Sequence, residues 1–214
     1  MNRCLSRRRF SAWALSAACA LGMVGTAQAV EEPADVFIKR VSGDILEAIK
    51  ADKSIHSGDV NKIVVLVDQR VMPNVNFLRM TASAVGPGWR QATPEQQKRL
   101  QEEFKALLVR TYAGALGQVN DQTIVVKPLR AAADDKEVLV RTEVRGKGDP
   151  IQLDYRVEKT ADGAGWRVYN LNVMGIWLVE NYRSQFAQEI NAKGVDGLIA
   201  SLADRNKTNA RTSK

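Results

Sequence analysis

The sequence predicts an α+β domain: a curved, antiparallel, four-stranded sheet packed by helices on one face. Three observations carry this. Apolar residues recur at helical spacing up to Gly117, the period falls to two over residues 123–173, and helical spacing returns after Gly175. The alternating segments are adjacent in the chain and joined by short turns, so they pair antiparallel.

Taken in order, Phe37, Val41, Ile45 and Ile49 follow Pro33 every four positions and mark an amphipathic helix to about Lys50. Ser57 is placed to cap a second helix through Ile63, Leu66, Val67 and Val71, stopped by Pro73. A third, short helix starts near Asn76 with Phe77, Met80 and Ala84 on one face, and ends at the Gly-Pro-Gly of residues 86–88. The strongest local start signal is "TPEQ". Thr93 can cap, Pro94 fits the first helical position, and Gln96 can complete a capping box. Leu100, Phe104, Leu107, Leu108, Thr111, Tyr112 and Leu116 continue as one apolar stripe.

Residues 123–129 form the first predicted strand. Val138, Val140, Thr142 and Val144 then alternate with Leu139, Arg141, Glu143 and Arg145. After the "GKGDP" turn Ile151, Leu153, Tyr155 and Val157 alternate likewise, which places Tyr155 on the buried face and Asp154 on the wet one. "DGAG" makes a hairpin turn into a fourth strand from Trp166 to about Val173. Gly175 hands the chain to a helix carrying Val179, Tyr182, Phe186 and Ile190, closed by Gly194, and a last short helix uses Leu198, Ile199 and Leu202. Residues 205–214 have no apolar pattern and read as a disordered basic tail.

The 214 residues carry a formal charge of +7, which invites a nucleic-acid reading. The first 29 residues overturn it. Arg3, Arg7, Arg8 and Arg9, an apolar run over residues 11–25 and Ala27-Gln28-Ala29 make a secretory signal peptide, with cleavage near Ala29. The adjacent arginines fit a twin-arginine signal or an ordinary n-region, so both export routes stay open. The signal takes four of the 31 basic residues, leaving 27 against 24 acids; the tail holds four more and no acid, so residues 30–204 sum to −1. Such a body has no electrostatic footprint for nucleic acid. Both cysteines, Cys4 and Cys19, leave with the signal, which excludes a disulfide scaffold, a thiol enzyme or a cysteine-ligated metal. The expected organisation is a removed signal (1–29), a single α+β domain (30–204) and the tail.

Little catalytic chemistry is available. His56 is the only histidine and lies in a polar stretch, and no Walker loop, GxGxxG or GxSxG occurs. No acid falls on the apolar sheet face, where a ketosteroid-isomerase-like site would need one. Instead the sheet face supplies Val138, Val140, Ile151, Leu153, Tyr155 and Val157. The helices supply Phe77, Met80, Phe104, Leu108, Tyr112, Val179, Tyr182 and Phe186. These make either an ordinary core or the walls of an apolar cavity that sheet and helices fail to close.

An ordered set of segments then resembles a known family: "QRVMPNVNF" (69–77), "GPGWRQATPEQQKRLQEEFKALLVRTYAGAL" (86–116), "LDYRV" (153–157), "GWRVYNLNVMGIWLVENYRSQF" (165–186) and "KGVDGLIASL" (193–202). Together they resemble MlaC, the toluene-tolerance family of periplasmic phospholipid-transport proteins, over nearly the whole mature chain. The resemblance implies a nuclear-transport-factor-2-like fold with an apolar cavity, and a soluble, monomeric periplasmic carrier without catalytic residues or cofactor, its ligand a phospholipid. The carrier would exchange lipid with an inner-membrane ABC transporter and an outer-membrane lipoprotein and porin complex, maintaining outer-membrane lipid asymmetry.

The sequence makes three departures from the family pattern. Asn170 follows Tyr169 where "YD" is usual, Met174-Gly175-Ile176-Trp177 replaces "EGVS", and Asn76 stands where aspartate is common. The residues expected around the acyl chains are Phe77, Met80, Phe104, Leu108, Tyr112, Val140, Leu153, Tyr155, Ile176, Trp177, Val179 and Tyr182. The alternatives are a small-molecule enzyme on the same fold, needing a polar pocket with an essential acid, and a ligand-free adaptor with a fully packed core.

Overall fold

A computed structural model describes residues 32–212 apart from Ala133 and Ala164. The expected signal peptide lies outside the described residues. The helices are α1 (Ala34–Ala51), α2 (Lys53–His56), α3 (Val60–Leu66), α4 (Phe77–Val85), α5 (Gly88–Gln91), α6 (Pro94–Gly117) and α7 (Leu178–Thr212). The strands β1 (Thr123–Val126), β2 (Glu137–Arg145), β3 (Ile151–Lys159), β4 (Trp166–Val173) and β5 (Ile176–Trp177) form an antiparallel meander in chain order. The α+β architecture is therefore as expected, with one more strand. β5 is two residues long, too short for any period to reveal.

Local chemistry explains most boundaries. The α6 capping box forms in full: Gln96 N–H donates to Thr93 Oγ1 at 3.2 Å and Thr93 N–H to Gln96 Oε1 at 2.9 Å. Asn76 caps α4 by accepting from Arg79 N–H at 3.0 Å. The expected cap of the second helix is corrected: Asp59, not Ser57, accepts from Asn61 and Lys62, because Ser57 closes the short α2. Past Leu66 the chain widens into a π-helical turn (Val67–Val71) before a 3₁₀ turn ends it at Pro73. In α7 the chain breaks at Gly194, φ 70° and ψ −175°, a backbone that only glycine adopts cheaply. The tail, expected to lack structure from Arg205, continues α7 to Thr212. Buried Asn206 anchors it, its Nδ2 donating to the Glu103 carbonyl at 3.0 Å and carboxylate at 2.7 Å.

Apolar side chains collect in three clusters rather than one core. Phe77, Met80, Leu100, Phe104, Leu107, Val179, Tyr182, Phe186, Leu198 and Leu202 belong to a cluster made by helices alone. Phe37, Ile38 and Val41 of α1 pack on Val140, Val157, Trp166 and Val168 of the sheet. Ile49, Ile55, Ile63, Leu66, Val109 and Ala113 join α1, α2, α3 and α6. Helices thus cover the sheet face through α1, while the large aromatic cluster closes on itself.

A bulge shapes the sheet. Arg156 pairs with Asn170 but Val157 with Val168, so Tyr169 is an extra residue in β4. Trp166 and Val168 therefore share a face with Leu171 and Val173, and Asn170 and Asn172 point to the other. That second face is not wet where β5 and the start of α7 fold back. Asn170, Asn172 and Asp154 are all buried, Asp154 at 5% exposure, which corrects its expected place in water.

Candidate functional site

Cross-strand register builds the apolar sheet face in rows. Val138, Val157 and Val168 form one row, Val140, Tyr155 and Leu171 the next, then Thr142, Leu153 and Val173, with Val144 and Ile151 last. Burial falls along these rows. Val140 and Val157 are fully buried under α1, Leu153, Leu171 and Val173 are half-buried, and Ile151 is 41% exposed. Polar groups in the middle rows are satisfied internally: Thr142 Oγ1 donates to the Leu153 carbonyl at 2.7 Å, and Ser42 of α1 donates to the Tyr155 hydroxyl at 3.3 Å. Burial pushes the Tyr155 phenol up, so it stays neutral. The far rows thus present apolar surface that α1 does not reach.

The helical cluster has a half-buried margin of its own. Leu108 packs at the edge of the aromatic cluster, and Tyr112, one turn on, is half-buried with its phenol raised by burial and by the nearby Tyr182. Behind them the cluster is closed. Phe104, fully buried, stacks on Phe77 at 5.8 Å and meets Tyr182 and Phe186 edge-on at 5.0 and 5.2 Å.

The twelve residues expected around a ligand therefore separate. Phe77, Met80, Phe104, Val179 and Tyr182 lie together in the helical cluster with Leu108 at its edge, and Val140 and Tyr155 lie in the sheet cluster. Leu153 and Tyr112 are half-buried outside the clusters' closed interiors. Ile176 is 57% exposed, and Trp177 lies under the Arg156 guanidinium, 4.1 Å from its ring centre. Leu171 and Val173 escaped the sequence reading, because the bulge at Tyr169 decides which face they join.

Polar contacts hold the frame around this face. Arg79 pairs with Glu158 and, at 2.8 Å, with Glu137, and stacks 3.7 Å above the Tyr169 ring. Asn76 Nδ2 donates to Glu158 at 2.6 Å, and Tyr169 donates to Glu137 at 2.8 Å. Hydrogen bonds from Arg79 and Tyr169 hold the Glu137 carboxyl below its usual range. Asn170 Oδ1 accepts from the amides of Leu171 and Val179, and its Nδ2 donates to Glu180 at 2.7 Å, which fixes how β4 leads into α7. These contacts tie α4 and α7 to the bulged strand.

Among the described residues no group of three or more His, Cys, Asp or Glu could hold a metal. The buried acid Asp154 accepts from Gln152 Nε2 at 2.7 Å, but it pairs across the strands with Arg141 and Asn172, on the face opposite the apolar rows. Among the described residues no helix is long and apolar enough to cross a membrane.

Comparison with known proteins gives this geometry a family. A solved structure of a phospholipid-binding protein from Ralstonia solanacearum, in complex with a phospholipid, superposes with a TM-score of 0.79 at 47% identity, covering 85% of this chain and 99% of that one. The toluene tolerance protein ttg2D of Pseudomonas putida is 32% identical over 171 residues, 78% of this chain and 77% of its own. The intermembrane phospholipid transport system binding protein MlaC of Haemophilus influenzae is 23% identical over 169 residues, 78% and 79% of the two chains. The model of the MlaC protein family matches residues 39–204, from within α1 to within α7, so the chain belongs to the MlaC family.

Proposed function

We propose that this protein is a periplasmic phospholipid carrier without enzymatic activity. The observation that carries the reading is the sheet face whose near rows are sealed by α1 while Leu153, Leu171 and Val173 stay half-exposed. Acyl chains lie along these residues and Tyr155, against the helical margin of Leu108 and Tyr112; Trp177, paired with Asn172 and stacked under Arg156, stands on the opposite face of the sheet. Phe77, Met80, Phe104, Val140, Val179 and Tyr182 are the packed walls behind. The Ralstonia relative, solved with a phospholipid, supports this.

A diacyl phospholipid has roughly 30 methylenes, and at about 0.8 kcal/mol each its bare passage through water costs on the order of 20 kcal/mol. Covering the chains removes that barrier. Moving them from bilayer to an apolar cleft exchanges one apolar environment for another, so the free-energy change is near zero. One carrier can then both load and unload, with direction set by its partners. Those partners are an inner-membrane ABC transporter and an outer-membrane lipoprotein and porin complex, and the process maintains lipid asymmetry. The signal directs the chain to the periplasm, where it acts as a monomer from about Val30.

Labelled-lipid transfer between donor and acceptor vesicles tests the reading. The mature protein accelerates transfer in proportion to its concentration; an unchanged spontaneous rate with no lipid captured by the protein overturns it.

A further inference from the structure

The last turns of α7 are cationic and held in place. Arg205, Lys207, Arg211 and Lys214 stand against no acid over residues 205–214, and the helix runs to Thr212. Gln96 Nε2 donates to Asp196 at 2.7 Å and Asn206 Nδ2 to Glu103 at 2.7 Å, so α6 and this half of α7 run side by side in the same direction. Asn206, 6% exposed, pins the segment to α6, and its cations are carried on a fixed helix. A helix macrodipole favours a cation only in the last turn. Arg205 and Lys207 stand before that turn, so the dipole does not account for them.

The elements packed around this end do not cancel its charge. Residues 52–70 hold three cations and three acids, residues 98–103 two of each and residues 178–193 two of each, while α4 and α5 carry no acid. Residues 104–121 carry Lys105 and Arg110 against Asp121, and residues 204–214 four cations against Asp204, which leaves a surplus of four cations. The nearest acids are already taken: Glu103 pairs with Arg99 at 2.8 Å, Asp68 with Lys105 at 2.7 Å and Asp204 with Lys207 at 3.4 Å. This end also adjoins the helical margin of the apolar cleft. Arg205 is exposed, donates to Gln185 Oε1 at 3.3 Å and lies within electrostatic reach of the Tyr182 phenol, which in turn acts on Tyr112. A phospholipid whose chains enter along Leu108 and Tyr112 brings its phosphate, and the bilayer it leaves, beside these cations.

We propose that the cationic segment of α7 from Arg205 to Lys214 docks the carrier on an anionic phospholipid bilayer. The attraction is between cations and headgroups and is screened by salt, so the carrier rests on the surface without inserting. Docked there, it holds the Leu108 and Tyr112 margin at the bilayer, where a lipid chain passes onto the apolar rows. The inference rests on the carrier reading, and identifies the surface through which that carrier meets its lipid source.

Flotation of the mature protein with vesicles of phosphatidylglycerol and phosphatidylethanolamine, beside vesicles of phosphatidylcholine alone, tests it. The wild type floats with the anionic vesicles, less at high salt, and not with phosphatidylcholine; these comparisons need no variant. Each cation removed beside an anionic surface lowers partitioning about fivefold. Arg205→Gln, Lys207→Gln and Arg211→Gln together therefore lower it by at least about tenfold, while the melting temperature and the phospholipid found by native mass spectrometry stay unchanged. Lys39→Gln, Lys136→Gln and Lys147→Gln together remove the same charge from α1 and the loops of the sheet, and this control floats like the wild type. Wild type that floats with neither vesicle or equally with both overturns the proposal, as does a triple variant of α7 that floats equally well. A control that falls as far also overturns it, because net charge is then the cause. So does flotation only when a membrane-anchored protein partner is reconstituted, which makes the segment a protein-docking surface. Wild type that floats but carries no phospholipid fails the carrier reading; wild type that carries phospholipid but does not float fails this inference alone.

Discussion

Phe104→Ala separates a packed wall from a lipid-lining one. The side chain is fully buried, with one stacked and two edge-on aromatic partners within 5.8 Å. Removing the ring forfeits up to about 3 kcal/mol of burial and about 1–2 kcal/mol of aromatic pairing. The total of about 4 kcal/mol lies in the usual range for Phe→Ala in a core. For a domain of this size the melting temperature falls by about 8–16 °C. Urea unfolding of the delipidated and the phospholipid-loaded protein reads the loss in both states. The expectation is the same loss in each, because the lipid chains run along Leu108 and Tyr112 and do not reach the hole. A loss below about 1 kcal/mol, or one that loaded lipid largely restores, refutes the assignment of Phe104 to a closed cluster.

Other changes probe the rest of the account. Leu171→Glu places a carboxylate among the half-buried rows, and bound phospholipid measured by extraction should fall at least tenfold while the fold survives, since a charge among acyl chains is left unpaired. Thr93→Ala removes the side-chain half of the α6 capping box and should cost about 1 kcal/mol, read as a shift in the urea midpoint. Glu137 is held below the ordinary carboxylate range by hydrogen bonds from Arg79 and Tyr169, so its contribution is present above the unfolded-state value and lost as pH falls through the folded one. Glu137→Gln should lower the melting temperature at neutral pH and flatten its decline between neutral and acid pH; an unchanged acid limb would dismiss this pair as a pH-dependent tie.

Where local chemistry decides, the sequence was readable. Thr93, Pro94 and Gln96 announce the start of α6, and the alternation from Val138 to Val144 and from Ile151 to Val157 announces an antiparallel pair before any contact is known. Long-range contacts decide the rest. Nothing in "WRVYNLNV" marks Tyr169 as the extra residue, because the bulge depends on the partner strand, and with it goes the assignment of Leu171 and Val173 to the apolar face. Asp154 was misplaced for a related reason: alternation tells which face a side chain takes, but not whether that face is buried there. The tail helix depends on Asn206 meeting Glu103 about a hundred residues earlier, a contact with no local signature. For the site, two apolar faces were legible from spacing alone. Which part of each is sealed was not, since that depends on where α1 stops.

The family match and the shape of the sheet converge on one physical claim, that phospholipid chains occupy the uncovered apolar rows. Native mass spectrometry of the mature protein purified without detergent, followed by organic extraction, tests it most directly. The account predicts a bound mass that extraction identifies as phospholipid and that is lost from Leu171→Glu. A wild type that carries no lipid and takes up none from labelled vesicles would contradict it.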